Sequence, residues 1–431
     1  MFLTADMGLP LGPLNYVFGL LMNFIYEMLS KIGIGNIGLA IVIFTLFTRI
    51  LLYPMTVRQQ KSSKMMALIQ PEINAIQKKY ENKKDQASMM AQQQEMKAVY
   101  EKYGTSMTDG CVQLLIQMPI IFSLYRVIMN IPAYVGSIKD HFISIITAME
   151  NSGIDYVDTI DQFVSDNKLT SLTTGEIGKF FASPEAYTDP TQRTNLIIDF
   201  FNKLNPNQFK ELLLKFPAEV QAIVEPNVKF INDANSFLGM NLTTAPSANG
   251  FVPNIYWIIP ILAFASQYLS AKFMQSATKN RITNEESQMQ QTMKTMNIML
   301  PLMSAFFCWG FATGIGVYWI ASAIFMTIQQ VFVNMQMDKI DIEELIKQNV
   351  AKANIKRAKK GLPLISPEKA ASNIKNMEQK FEKEEENREK KLEGKEEREE
   401  EADKFYFDNE NRDSLFAKAN MVSKYNEKHN K

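Results

Sequence analysis

Two cysteines and two histidines in 431 residues leave little room for thiol or metal chemistry. Cys111 and Cys308 lie far apart, each in an apolar run, and read as packing residues rather than a disulfide or metal pair. His141 and His429 are equally scattered, whereas metal sites need clustered ligands at set spacing. No cofactor and no metal are expected. Charge is missing too, in long windows: 37–57, 111–131, 254–274 and 296–334 contain no Asp or Glu at all. Windows of this length and character are candidate membrane spans. Their lack of carboxylates excludes the intramembrane acid relay on which proton-coupled transport generally runs. Two similar halves, as in transporters built from inverted repeats, are not found either. No paired carboxylates and no nucleophile–base pair lie in any predicted cavity, so an enzyme is not expected. The opening MFLTADMGLP lacks a basic region and no small-residue cleavage site follows, so a cleavable leader is not expected; no cysteine in the first hundred residues offers a lipid attachment point.

What is present is strongly partitioned. The reading is an all-α polytopic membrane protein with five transmembrane helices, a cytoplasmic helical hairpin and an inserted, mainly helical extracytoplasmic domain. Residues 1–36 form an extracytoplasmic N-terminus, whose segment 14–30 reads as an amphipathic helix at the membrane surface. Residues 37–57 are the first transmembrane helix, 58–106 the hairpin, 107–135 the second transmembrane helix and 136–250 the insert. The third transmembrane helix is 251–274, 275–294 is a short cytoplasmic loop, 295–335 holds helices four and five, and 336–431 is a charged cytoplasmic tail. Orientation follows from lysine and arginine near the span ends. Residues 58–103 carry nine, while 1–36 carry only Lys31 and 230–253 none, which puts the N-terminus outside and the C-terminus in the cytoplasm.

The insert holds eight basic and fourteen acidic residues and shows no active-site motif; Asn207 is a candidate cap for a helix over 207–223. The hairpin reads as two helix-favouring segments around the polar turn ENKKDQ. Its Met65, Met66, Met89, Met90 and Met96 either form a flexible contact surface for apolar segments or pack the two helices together. The tail divides into a basic block, 345–375, with a net charge of +7, and an acidic block, 376–413, with −7. The first is suited to anionic lipid or ribosomal RNA; the second reads as a solvated, disordered stretch.

Arg49 is the anomaly. It sits near the middle of IFTLFTRILLYPM, residues 43–55, where a permanent cation costs roughly 2.5–3.5 kcal/mol. It is eight or more residues from either end, too deep for snorkelling to reach water fully. No carboxylate within the spans can pair with it, which leaves a polar, water-bearing cavity. Thr45 shares its helix face, and Gln113 and Gln117 share a face of the second span. Thr313, Tyr318 and Trp319 lie in the last apolar hairpin.

Three stretches carry a resemblance. TRILLYPMTVRQQKSSKMMALIQPEINAIQKKY (48–80), YGTSMTDGCVQLLIQMPIIFSLYRVI (103–128) and GIGVYWIASAIFMTIQQ (314–330) resemble signatures of the YidC/Oxa/Albino membrane-protein insertases. The resemblance covers the five spans, the hairpin and the start of the tail, but not 136–250. It implies a hydrophilic groove in which Arg49 matches the family's arginine and Thr45, Gln117 and Trp319 match lining positions, with Tyr318 beside them. It further implies that nascent hydrophobic segments enter the bilayer along the groove without nucleotide. The implied partners are nascent membrane proteins, the ribosome, the Sec translocon and membrane lipids, with no small-molecule substrate, and the implied location is the bacterial plasma membrane. Departures occur at Ser106-Met107, at CVQLL and at Ala312-Thr313, where family members often carry proline-bearing turns. The rival reading is a channel or scaffold subunit whose charged tail recruits a cytoplasmic partner.

Overall fold

The computed structural model describes residues 11–83, 85–106, 112–279, 288–337, 339–374 and 376, without the side chains of 112–116, 249, 275–279, 288–294, 296 and 297. Cys111, His429, residues 1–10, the centre of loop 275–294 and nearly all of the acidic block lie outside the described residues. Helices dominate. In order they are α1 (Gly12–Lys31), α2 (Ile37–Leu51), α3 (Tyr53–Tyr80), α4 (Gln86–Lys102), α5 (Val112–Met129), α6 (Ile131–Tyr134), α7 (Gly136–Glu150) and α8 (Tyr156–Asp166). Then come α9 (Glu176–Ala182), α10 (Pro190–Phe201), α11 (Pro206–Leu213), α12 (Ala218–Asn235), α13 (Ile258–Lys279), α14 (Gln288–Gly310), α15 (Thr313–Met337) and α16 (Ile342–Lys359). A two-stranded antiparallel ribbon, β1 (Ser236–Phe237) and β2 (Met240–Asn241), is paired as Ser236 with Asn241 and Phe237 with Met240.

The chain falls into two compact units. The first comprises Met1–Ala67 and Ser106–Ile340. One continuous apolar core runs through it, from Met22 and Phe44 in α1 and α2 through Leu124 and Phe142 to Phe200 and Leu212 in the insert. Around this core the helices also leave many large apolar side chains exposed, among them Phe47, Phe122, Ile261, Leu302, Phe306, Ile328 and Phe332. So much exposed apolar surface is foreign to a protein solvated by water and natural for one solvated by lipid. Helix α15 is long and apolar enough to cross a membrane alone. Helices α2 and α3 meet the same test together but are bent by 56° at Leu52. The apolar stretches Gln117–Met129 and Ile298–Gly310 are shorter.

The first helix therefore stops earlier than the sequence reading of 37–57. The cause is Pro54, which has no N–H to continue the ladder and is tolerated in the first turn of the next helix. In the insert the structure corrects the cap: Asn205, not Asn207, opens α11, in a capping box with Gln208. The expected helix over 207–223 is two helices, because Pro217 has no N–H to continue the first and stands at the N-cap of the second.

The second unit comprises Leu68–Thr105 and Asp341–Lys431. Within it the basic start of the tail is not free. Helix α16 lies against the base of the helical hairpin, with Arg357 pairing Glu101 at 2.6 Å. Gly104 (φ +65°) lets the backbones meet: a Cβ there would stand 2.5 Å from the carbonyl of Asn349. Leu345, Ile346 and Val350 of α16 are buried, as are Val99, Tyr100 and Tyr103 of the hairpin. Glu72 accepts from Lys102 at 3.0 Å and from the Tyr103 hydroxyl. Burial first, and then the Glu72 carboxylate, push that hydroxyl well above the usual phenol range, so it stays a donor.

Candidate functional site

Three helices of the first unit contribute polar groups to one place. Helix α2 is extended by Asn36, whose side chain caps Leu39 N, and its packed face carries Thr45, Thr48 and, half-buried, Arg49. Helix α15 packs along it and presents Tyr318, Ser322 and Gln329, all buried. These three are spaced by four and seven residues, which keeps them near one face of a 3.6-residue helix. Helix α5 adds Gln117.

The bonding is linked. The Arg49 guanidinium donates to the Ser322 hydroxyl. Gln117 Nε2 donates to the Tyr318 hydroxyl at 2.8 Å, one turn of α15 before Ser322. Gln329 Nε2 lies 3.4 Å from the Arg49 carbonyl and 3.5 Å from Thr56 Oγ1, while its own carbonyl oxygen is buried with no hydrogen-bond partner. The last two distances are at the weak limit for hydrogen bonds. Arg49 has no ion-pair partner among the described residues, and neither α2, α5 nor α15 contains an Asp or Glu. A guanidinium carries five N–H donors, so one hydroxyl leaves most of its capacity unused. What this arrangement can do chemically is attract an anionic or carbonyl-rich group. Among the described residues no cluster of three or more His, Cys, Asp or Glu is placed to hold a metal.

Not every expected residue joins. Thr45 is fully buried and its hydroxyl donates to the Ile41 carbonyl of its own helix, at 2.6 Å. Trp319 follows Tyr318 in sequence but turns about 100° further round α15. Its ring lies nearly parallel to Phe307 of α14, with centroids 6.3 Å apart. Gln113 lies in α5, but its side chain is outside the described residues. Of the hairpin methionines, Met65 is buried, Met66 and Met96 are half-buried, and Met89 and Met90 are exposed on α4. Ser322 and Gln329 were missed by the sequence reading. Their spacing from Tyr318 was the available signal, the same one that joined Gln113 to Gln117.

Residues 28–202 and 209–340 match the family described as the 60Kd inner membrane protein. A membrane protein insertase YidC of Oceanobacillus iheyensis is 40% identical over 121 residues, which are 28% of this chain and 48% of the relative. A membrane protein insertase YidC 2 of Bacillus anthracis is 45% identical over 96 residues, 22% of this chain and 37% of the relative. A membrane protein insertase YidC of Treponema denticola is 24% identical over 342 residues, 78% of this chain and 40% of the relative. The chain spans under half the length of these relatives. The family match runs through Arg49, Gln117, Tyr318 and Ser322 and, contrary to the expectation from the motifs, through nearly all of 136–250; it covers most of the chain, which therefore belongs to the family of the 60Kd inner membrane protein, the YidC/Oxa/Albino group.

Proposed function

We propose that this protein inserts nascent hydrophobic segments into the lipid bilayer, with Arg49 drawing the segment's short polar or acidic end into a hydrophilic groove. The observation that carries the reading is a half-buried guanidinium whose partner is one neutral hydroxyl, Ser322, with no carboxylate on the helices that hold it. An uncompensated cation in such a place costs free energy unless a partner arrives. A client's acidic end supplies one, and transfer of its apolar segment into lipid supplies the driving force. No covalent chemistry and no nucleotide enter this account, so we read the protein as a chaperone and insertase rather than an enzyme. The groove is lined by Arg49, Ser322, Tyr318, Gln117 and Gln329.

In this reading the five spans are α2, α5, α13, α14 and α15, with the N-terminus outside and the tail in the cytoplasm. The apolar stretch Ile298–Gly310 is thirteen residues, or about 20 Å of helix against about 30 Å of hydrocarbon. Such mismatch thins the bilayer locally and lowers the barrier for the client's polar end. On the cytoplasmic side, exposed Met89 and Met90 offer adaptable contact for emerging apolar segments, and the basic side chains of α16 suit ribosomal RNA or anionic lipid. The ribosome and the Sec translocon are the proposed partners, alongside nascent membrane proteins and lipid. A channel would need a continuous polar path, and the linked bonds here end within one cluster.

The test uses proteoliposomes and ribosome-released single-span clients with either an acidic or a neutral N-terminal tail. A photo-crosslinking residue at Ser322 should capture the acidic-tailed client. Arg49→Ala should cut insertion of that client by roughly ten- to a hundredfold, the worth of about 1.5–3 kcal/mol for a hydrogen bond to a charged group. Arg49→Lys should retain much of it, and the neutral-tailed client should change little. Equal loss for both clients, or no capture at Ser322, would sink the proposed role of the charge.

A further inference from the structure

The β1–β2 ribbon has an unusual tip. Its two turn residues, Leu238 and Gly239, both have positive φ, +51° and +78°. A two-residue turn of this kind favours Asn-Gly or Gly-Gly, because side chains with a Cβ are strained there. Leucine has neither the small size nor the local hydrogen bonding that makes asparagine tolerable. Its side chain also gains nothing from burial, since Leu238 is 77% exposed. Strain combined with an exposed apolar side chain asks what the side chain is for.

The ribbon's surroundings answer by position. The Ser236 carbonyl accepts from Asn36 Nδ2 at the start of α2, at 2.7 Å. The Phe237 ring sits where a Cβ on Gly38 would fall, so this glycine is what admits it. Asn241 N reaches the Tyr256 hydroxyl just before α13, at 3.2 Å, and the Leu242 carbonyl accepts from Gly314 N at the start of α15. The ribbon is thus braced at the beginnings of three helices read as spans, all of which start on the same side. Beside it runs a second exposed apolar stretch: Phe251 (85% exposed), Val252 and Ile255. Interrupted only by the partly exposed Asn254, that stretch leads along the chain into the exposed Ile258, Ile261 and Leu262 of α13. Phe251 stacks on Trp309 at 5.6 Å, and Trp257 meets Trp309 edge-on at 4.5 Å. Amphipathic aromatic rings gather at the level of lipid headgroups.

We infer that the Leu238 tip and the Phe251–Ile255 loop dip into the outer leaflet and tether the insert to the lipid surface. The occupant of this apolar patch is lipid, at the boundary between headgroup and acyl chain, because the patch leads into the exposed face of α13. The inference rests on α13 and α14 being spans, as proposed above. It gives the insert a fixed lie on the membrane rather than a free position in the extracytoplasmic space.

The test uses the full chain with both cysteines replaced (Cys111→Ser, Cys308→Ala) in phosphatidylcholine–phosphatidylglycerol vesicles. Single labels of an environment-sensitive fluorophore are placed through Leu238→Cys or Phe251→Cys. Phe306→Cys on α14 and Leu214→Cys, exposed in the insert, mark lipid and water. Brominated acyl chains should roughly halve emission at 238, 251 and 306 and leave 214 unchanged, while aqueous iodide should quench only 214. Quenching at 306 with position 238 open to iodide would overturn the tether and leave the spans standing. Position 238 shielded from iodide yet untouched by brominated lipid would mean a protein occupant, and would also overturn it. No quenching at 306 would remove the proposed spans and the tether together.

Discussion

Gly104→Ala tests whether the tail helix is a working part of the hairpin. At φ +65° an alanine pays about 1–2 kcal/mol for the left-handed backbone alone. Its Cβ would also stand 2.5 Å from the Asn349 carbonyl carbon and oxygen and 2.8 Å from Val350 N. These are backbone atoms of α16 and cannot rotate aside, so overpacking adds about 1–3 kcal/mol. Against this, the Arg357–Glu101 pair is partly exposed and holds α16 by about 1 kcal/mol at most. Buried Leu345, Ile346 and Val350 also hold α16 and are untouched by the substitution, so the clash should raise the population in which α16 is lifted from the hairpin rather than release it outright. A total of about 2–5 kcal/mol corresponds to a roughly thirtyfold to several-thousandfold rise in the open state, at tenfold per about 1.4 kcal/mol. Hydrogen exchange followed by mass spectrometry reads this directly: amides of 345–357 should lose protection by that factor, while α3 and α4 keep theirs. Unchanged exchange over 345–357 would refute the argument that backbone contact at Gly104 seats the helix.

Tyr318→Phe removes the acceptor of the Gln117 amide at 2.8 Å and should destabilise the detergent-solubilised protein by about 1–3 kcal/mol in a thermal melt. Its effect on insertion should be smaller than that of Arg49→Ala and independent of the client's charge. In the insert, burial raises the Asp199 carboxyl to about 7, a rise that nearby Lys203 only partly offsets. The folded state then binds a proton that the unfolded chain releases, so this residue's contribution to stability is present below about pH 4 and is lost as pH rises to about 7. Asp199→Asn should therefore stabilise the protein by at most about 4 kcal/mol at pH 8 and by little at pH 4. Melting curves at the two pH values that show the same difference would contradict the sign.

Arg49 was legible from sequence because a permanent cation among apolar residues has so few explanations. Its actual partner was not. Ser322 lies in WIASAIF, where a serine among small residues carries no signal of its own, and only its four-residue offset from Tyr318 marks it. Trp319 entered through the family resemblance, and helix geometry turns it away from its neighbour Tyr318, toward Phe307. The bend at Leu52 was hidden by an apolar run that continues past it, although Pro54 marked the break. Helix α16 was masked by its charge. Leu345, Ile346 and Val350 form an apolar stripe, but the lysines around them made the segment read as a basic surface for anionic lipid or ribosomal RNA. The ribbon was lost for want of length, since two residues per strand leave no alternation to see.

The loop that follows the ribbon sets where the insert can be cut out. Thr244 accepts both the backbone N–H and the hydroxyl of Thr313, at 2.9 and 2.8 Å, and Leu242 accepts the N–H of Gly314. Two of the donors that every helix leaves unmet at its start are thus satisfied by residues from the insert's end. A proline at 313 would have no N–H to give and would lose one of these bonds. Residues 242–244 therefore serve α15 as much as the insert. A deletion that keeps the ribbon and this loop shortens an appendage, whereas one that crosses into them uncaps α15 and carries the loss toward Tyr318 and Ser322.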